Sequence, residues 1–132
     1  MDIKLSPHII FNGNCSEAMN FYNNVFDGEL IMKTYSETSE KISENDKDKI
    51  MHALLSFNNI EITASDALDN NKTVNCSSVI ISLEYDNINE AENIFNKLSE
   101  GSLSELVFKY SFWGTKFGLF TDKFGIQWMI TI

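Results

Sequence analysis

Two stretches of the chain share one pattern of apolar and polar positions. Apolar residues recur at spacings of three and four after Asn14, and the same pattern returns after Asn87, 73 residues later. Such spacing places apolar side chains on one face of a helix, so each stretch predicts an amphipathic helix. The first helix is expected to run to about Phe26 with Asn14 or Ser16 as its cap, and the second to span Asn87–Ser99.

Short apolar segments around each helix predict β-strands. Asn58 and Asn59 tolerate positive φ and so predict a tight hairpin turn. The polar region Glu37–Lys49 predicts a mobile loop or a short exposed helix. The predicted strands are Leu5–Phe11, Glu29–Ser36, Met51–Phe57, Ile60–Ser65, Val74–Tyr85, Leu103–Phe112, Thr115–Phe120 and Ile126–Ile132.

The order β-α-β-β-β is therefore predicted twice, and a repeated unit of this kind indicates an internal duplication. Two copies are too few for a solenoid, so we expect one α+β domain over residues 1–132 in which the copies share a core. Module one would cover about residues 1–67 and module two about residues 74–132. A cavity between the two modules is the expected place for a functional site.

Composition and charge narrow the function. The chain has 132 residues, 43% of them hydrophobic, and a net charge of -9. That charge argues against nucleic acid or an anionic membrane as a partner. The N-terminal residues show no apolar targeting run, and no segment is apolar enough to span a membrane, so a cytoplasmic protein is expected. Cys15 and Cys76 are then expected to stay reduced, and Cys15 to be a structural thiol.

Several segments carry a resemblance to a known family. The run Phe11–Ala18 (FNGNCSEA), followed by Phe21-Tyr22 and Phe26, resembles the opening of PhnB-like proteins. Further segments resemble the same subgroup: His52-Ala53, Ser65-Asp66-Ala67, Phe112-Trp113-Gly114 and the closing run Asp122–Ile130 (DKFGIQWMI). These belong to the vicinal oxygen chelate superfamily, with glyoxalase I, the bleomycin-resistance proteins and the extradiol dioxygenases. The resemblance covers essentially the whole chain. It implies two βαβββ modules whose mixed sheets curl into an incomplete barrel around a pocket, and a homodimer.

The resemblance also implies where a metal would bind. In metal-dependent relatives the first and last strands of each module supply four His or Glu ligands. The matching positions are Pro7 or, with a slip of one residue, His8, then Thr63, Ile80 and Met129. Only His8 among these suits a hard or borderline metal. We therefore expect no metal and no other cofactor.

An alternative site remains open. His8 and His52 could bind a metal if both point into the cavity beside Glu61 or Asp66, as a two-histidine, one-carboxylate site. Glu61 alternates with Ile60 and Ile62, which favours the solvent face of its strand for this side chain.

Aromatic residues favour a binding role. Trp113 stands beside Gly114 at a predicted turn, where an indole is suited to stack on a ligand. Tyr35 and Tyr110 could add hydroxyl groups, and Phe117 apolar surface. The expected ligand-binding residues are Trp113, His8, His52, Tyr35, Tyr110 and Phe117. The sequence thus predicts a protein that binds a small molecule without a metal and assigns no catalytic residue. The alternative is a metal-dependent lyase, isomerase or dioxygenase that uses His8, His52 and a carboxylate.

Overall fold

The computed structural model describes residues 2–38, 41–69, 78–104, 107–110 and 116–132, with backbone alone at 107–110 and 116–117. It divides into two units, Met1–Val74 and Asn75–Ile132. The elements of the first unit are β1 (His8–Phe11), α1 (Cys15–Phe26), β2 (Glu29–Thr34), a 3-10 helix (Tyr35–Glu37), β3 (Ile50–Phe57) and β4 (Ile60–Asp66). Those of the second are β5 (Ile81–Glu84), α2 (Ile88–Leu98), β6 (Val107–Tyr110), β7 (Lys116–Thr121) and β8 (Gln127–Thr131).

Both units have the same sheet topology. The first sheet has the strand order β1-β4-β3-β2, and the second has the order β5-β8-β7-β6. In each sheet the first and last strands of the unit pair in parallel, and the other neighbours are antiparallel. The predicted α+β class and the twofold β-α-β-β-β order are therefore confirmed.

The first strand of each unit is shorter than the sequence predicts. The backbone amide of Thr63 donates to the carbonyl of Pro7 at 3.0 Å, but Pro7 has no amide to donate in return. The paired strand consequently begins at His8 rather than at Leu5. Strand β5 begins at Ile81 rather than at Val74, and residues 70–77 lie outside the described ranges.

Helix α1 packs on the first sheet through its apolar stripe, as its spacing predicts. Phe26 and Phe57 stack with their ring centroids 4.3 Å apart. Gly28 follows the helix at a point where an added Cβ would lie 2.5 Å from the carbonyl oxygen of Ser56. The buried residues of the helix are Cys15, Ala18, Met19, Tyr22, Val25 and Phe26. The first unit therefore has a close-packed core between α1 and one face of its sheet.

In the second unit, two polar side chains stabilise the start of α2 and the β7–β8 turn. Asn87 caps α2, because its side chain accepts a hydrogen bond from the amide of Glu90 at 3.0 Å. Asp122 is fully buried in the β7–β8 turn and accepts from the indole Nε1 of Trp128 at 2.8 Å. Ala91 of α2 and Ala18 of α1 are both fully buried, at matching places in the repeat.

The polar region before β3 differs from its prediction in one respect. Lys49 Nζ lies 2.7 Å from the carboxylate of Asp46 and 2.6 Å from that of Asp69. Asp46 is buried, so residues 41–49 are tied to the segment after β4 rather than lying fully exposed. Across the described ranges, no helix is both long and apolar enough to cross a membrane.

Candidate functional site

The first sheet has two chemically different faces. Along β4, Ile62, Ala64 and Asp66 are buried on the side of α1, whereas Glu61, Thr63 and Ser65 lie on the opposite side. We call this second side the open face. It also carries Glu29, Ile31 and Lys33 of β2 and His52, Leu54 and Ser56 of β3, by the alternation and register of those strands.

His8 lies on the open face. Its Cα pairs with that of Thr63 in the parallel β1–β4 ladder, and Ile9 and Phe11 are buried on the α1 side. The structure therefore places His8, and not Pro7, at the expected first-strand position of the site.

Two hydroxyl groups hold the imidazole of His8. Its Nδ1 lies 2.7 Å from Thr63 Oγ1, and its Nε2 lies 3.1 Å from Ser65 Oγ. Because the Thr63 hydroxyl donates to the carbonyl of Pro7 at 3.4 Å, its oxygen is left to accept from Nδ1–H. We infer from this network that neutral His8 carries its proton on Nδ1 and accepts from Ser65 at Nε2. Partial burial and the positive charge of His52 lower the pKa of His8.

His52 shares this face. It pairs with Lys33 in the β2–β3 ladder and stands one residue beyond the Ala53–Ala64 pair, level with Ser65. The structure thus brings His8 and His52 together across β4, with Ser65 between their strands.

The carboxylates proposed to join the two histidines are already bonded. Asp66 Oδ1 accepts from the amides of Gly13 at 3.0 Å and Cys15 at 2.9 Å, and its Oδ2 accepts from Ile50 N at 2.9 Å. Asp66 faces α1 and is 3% exposed, so its predicted alternative role as a metal ligand beside the histidines is wrong. Glu61 lies on the open face, where its carboxylate pairs with the ammonium of Lys4.

The donor set does not fit the four-ligand metal centre that the fold family implies. Thr63 supplies a hydroxyl that is bonded to His8, and Ile80 offers no donor atom. Met129 pairs with Ser82 and Leu119, on the face of the second sheet opposite the buried Ile130. Among the described residues, no three His, Cys, Asp or Glu side chains are grouped to hold a metal ion. One imidazole and one hydroxyl are a poor set for a borderline divalent ion.

Of the remaining candidate residues, Tyr35 is engaged at the end of β4. Its hydroxyl donates to the backbone carbonyl of Asp66 at 3.1 Å, and burial together with the charges of Asp66 and Asp46 raises its pKa. Tyr110 lies in β6 and Phe117 in β7, where the structure describes the backbone. Trp113 lies outside the described residues.

Burial makes Cys15 an inert thiol. Its side chain is fully buried at the start of α1, and burial and the charge of Asp66 raise its pKa to about 12. A thiol with such a pKa is almost wholly protonated near neutral pH and is a poor nucleophile.

A cavity of about 520 Å³ adjoins the open face at the end that carries Glu29 and Glu61, between the end of α1 and the β3–β4 turn. Its acidic lining residues are Asp27, Glu29 and Glu61.

Sequence reasoning missed Ser65 and Lys33 as site residues. The alternation of polar Thr63 and Ser65 with apolar Ile62 and Ala64 was the available signal, because it marks one polar face of β4.

Comparison with solved structures shows the class of fold. The chain superposes on the fosfomycin resistance protein FosX from Listeria monocytogenes, crystallised with Mn(II) and sulfate, with a TM-score of 0.64 at 12% identity over 99% of this chain and 93% of that one. A glyoxylase/bleomycin resistance protein/dioxygenase domain from Frankia gives a TM-score of 0.66 at 9% identity, over 100% and 98% of the two chains. These likenesses establish the glyoxalase/bleomycin-resistance fold.

The family then follows from sequence. Residues 3–131 match the family model described as 3-demethylubiquinone-9 3-methyltransferase, and the chain belongs to this PhnB-like family. A Pseudomonas aeruginosa protein, PA1353, is 37% identical with a TM-score of 0.88, over 98% of this chain and 96% of its own. A PhnB protein from Bacillus cereus is 26% identical with a TM-score of 0.70, over 98% of each chain. Protein YjdN of Escherichia coli K12 is 29% identical over 97% of this chain and 94% of its own. The predicted resemblance to PhnB-like proteins is confirmed.

Proposed function

We propose that this protein binds a small organic molecule on the open face of its first sheet, without a resident metal. One observation carries the proposal: both ring nitrogens of His8 are hydrogen-bonded to hydroxyl groups of β4. A histidine that binds a metal gives one nitrogen to the ion and usually donates from the other to a carboxylate or carbonyl. The arrangement of His8 supports a hydrogen-bonding role instead.

The surroundings of His8 support a ligand that is partly apolar. Ile10 is 47% exposed and Ile31 is 61% exposed on the same face. Small-molecule sites combine apolar surface with a few convergent polar groups, here the imidazole and the hydroxyls of Thr63 and Ser65.

Metal analysis of protein purified without a tag tests the first half of the proposal. We expect substoichiometric zinc, nickel, iron and manganese, with no change in His8→Ala. A screen of small organic molecules by protein NMR tests the second half, with shifts expected at residues of the open face. The choice of Trp113 as a ligand-stacking residue stays a prediction from the sequence, and it requires Trp113→Ala to weaken binding more than His8→Ala does.

A metal-dependent lyase, isomerase or dioxygenase is the second candidate, favoured by the shared face of His8 and His52. It predicts the opposite result in the same experiment. One metal ion per chain that disappears in His8→Ala would establish this candidate and overturn the metal-free proposal.

Methyl transfer, which the description of the matched family names, is not proposed. Doubly wound sheets, which have helices on both faces, bind dinucleotide cofactors at the carboxyl ends of their parallel strands. Each unit of this chain instead has a four-stranded mixed sheet with one helix.

We further propose a homodimer in the cytoplasm, with no role in binding nucleic acid or membranes. The family resemblance implies a dimer, and β1 and β2 form the edges of the first sheet, which a second copy would protect. Sedimentation equilibrium at micromolar concentration tests this, and a monomer there would contradict it.

A further inference from the structure

The side chains of the open face are ordered in rows that run across the strands. Lys33 of β2 pairs with His52 of β3, and His52 is level with Ser65 of β4. The imidazole of His8 reaches the same level, because its Nε2 lies 3.1 Å from Ser65 Oγ. We call Lys33, His52, Ser65 and the ring of His8 the basic row. Lys33 and His52 supply hydrogen-bond donors, Ser65 and His8 are bonded to each other, and none of the four is an acid.

An apolar pair lies directly beside the basic row. Ile31 and Leu54 are partners in the β2–β3 ladder, and each stands two residues along its strand from Lys33 or His52. Two residues of a strand cover about 7 Å, so the apolar pair lies within the length of one small ligand from the basic row. Ile31 is 61% exposed, which leaves this surface open to a ligand.

The charges of the open face are segregated along the strands. Its carboxylates belong to Glu29 of β2 and Glu61 of β4, and Glu61 pairs with Lys4 of the N-terminal segment. Glu29 stands four residues from Lys33, which corresponds to about 13 Å along the strand. No ion pair within 4.0 Å involves Lys33 in the described part of the chain. The open face therefore has a basic end and an acidic end, and the acidic end adjoins the cavity of about 520 Å³.

We propose that the open face selects a small amphiphilic acid, with its carboxylate or phosphate group on the basic row and its apolar body over Ile31 and Leu54. This inference rests on the proposed function and adds the chemical class of the ligand. Lys33 and His52 are partners in the β2–β3 ladder, so the ammonium of Lys33 and an N–H of His52 can both donate to one anionic oxygen group. The carboxylates at the other end of the face repel that group and fix the orientation of the ligand.

The overall charge of the protein gives an acid no long-range attraction, so binding depends on the local contacts of the basic row. With a net charge of -9, the protein repels anions at long range. Salt screens that repulsion within about 8 Å at physiological ionic strength, whereas direct contacts at the basic row are screened much less. An acid is therefore bound by contact and not by steering, and we expect its affinity to change little with moderate salt.

Benzoate and benzamide are a suitable pair of probes, because they share shape and apolar surface and differ in charge. We expect millimolar benzoate at pH 7.5 to shift NMR signals of the open face, and benzamide to bind about tenfold more weakly. Phenyl phosphate in a third titration distinguishes a phosphate-selective row from a carboxylate-selective one.

Two lysine variants provide a matched control. Lys33→Gln and Lys97→Gln each remove one positive charge, but Lys97 is exposed on α2 in the second unit. We expect Lys33→Gln to weaken benzoate binding about tenfold and to leave benzamide binding unchanged, while Lys97→Gln alters neither. His52→Gln should weaken benzoate binding as well.

The outcomes separate this inference from the proposed function. Equal binding of benzoate and benzamide, or equal effects of the two lysine variants, would overturn the choice of an acid and leave small-molecule binding standing. Absence of any shift on the open face, with benzoate and across a broad screen, would overturn both. Circular dichroism of each variant is the check that it is folded. Both lysines are exposed, so neither substitution disturbs a core.

Discussion

The carboxylate of Asp66 accepts a hydrogen bond from the backbone amide of Cys15 at 2.9 Å, across 51 positions of the chain. The same oxygen accepts from Gly13, and the other oxygen accepts from Ile50. One buried carboxylate at the end of β4 thereby fixes the start of α1 and the start of β3. A negative charge is favourable there, because the first amides of a helix form the positive end of its dipole.

Replacement of Asp66 by Asn tests this role. An amide group has one acceptor oxygen, so at least one buried backbone N–H would face the new NH₂ group without a partner. We expect Asp66→Asn to lower the free energy of unfolding by about 2–3 kcal/mol, measured by urea denaturation. Asp69→Asn is the control, since it disrupts only the half-exposed contact with Lys49 and should cost less than about 1 kcal/mol. Equal losses in the two variants would refute the central role of Asp66.

The pKa of Cys15 predicts how stability depends on alkaline pH. Burial raises this pKa from 9.0 to about 12, so above pH 9 the unfolded chain loses the thiol proton while the folded chain keeps it. The contribution of the thiol to stability is complete below pH 9 and falls by about 1.4 kcal/mol per pH unit above it.

The comparison with Cys15→Ala isolates this contribution, since both proteins share every other titrating group. The difference in unfolding free energy between them should shrink between pH 9 and pH 11. In a Cys76→Ser background, the Cys15 thiol should also react with Ellman's reagent only in denaturant. A constant difference with pH, or rapid labelling of the native protein, would contradict the burial of Cys15.

The titration of His8 should depend on His52, which lies on the same face. Partial burial and the charge of His52 hold the pKa of His8 below 6.5. We expect His52→Gln to raise the pKa of His8, as measured by the pH dependence of its imidazole NMR signals, because one repelling charge is removed. Thr63→Val should perturb the Nδ1 signal and reveal the tautomer. A His8 titration that is unchanged in His52→Gln would show that the two rings lie too far apart to share a ligand.

Two opposing effects determine how Gly28→Ala changes the free energy of unfolding. Its φ is not positive, so alanine would ordinarily stabilise the protein by reducing the entropy of the unfolded chain. The added Cβ would, however, lie 2.5 Å from the carbonyl oxygen of Ser56, and backbone has to move. We expect Gly28→Ala to destabilise the protein by about 1–3 kcal/mol in thermal or urea unfolding. A higher free energy of unfolding in Gly28→Ala would show that the backbone after α1 moves away from β3 at little cost.

The repeated fold could be predicted because its signals are local. The spacing of apolar residues after Asn14 and Asn87 gave both helices, and the cap at Asn87 uses a residue only three positions away. At Asn14 the same reasoning fails in detail, because its side chain makes no capping hydrogen bond and Asp66 binds the first amides instead. A partner 51 residues away cannot be read from local pattern.

The site was harder to predict, because its geometry depends on pairing between distant strands. Pro7 and His8 are equivalent candidates until the β1–β4 ladder sets His8 opposite Thr63. A shift of one residue moves every side chain to the other face, which is why Asp66 was a plausible ligand before its face was known. His8 and His52 could be named from residue type, whereas Ser65 and Lys33 acquire significance only from the register.

Strand β4 carries the cap of α1 and the partners of His8 on alternate residues, with Ser65 and Asp66 adjacent in sequence. Substitutions at Thr63 and Ser65 should therefore be tolerated by the fold, while those at Ala64 and Asp66 should not. Because the ligand-facing and fold-stabilising residues alternate, the ligand preference of the chain can change by substitution while the fold is retained. A single strand of this kind allows one scaffold to acquire new specificities by single-residue steps.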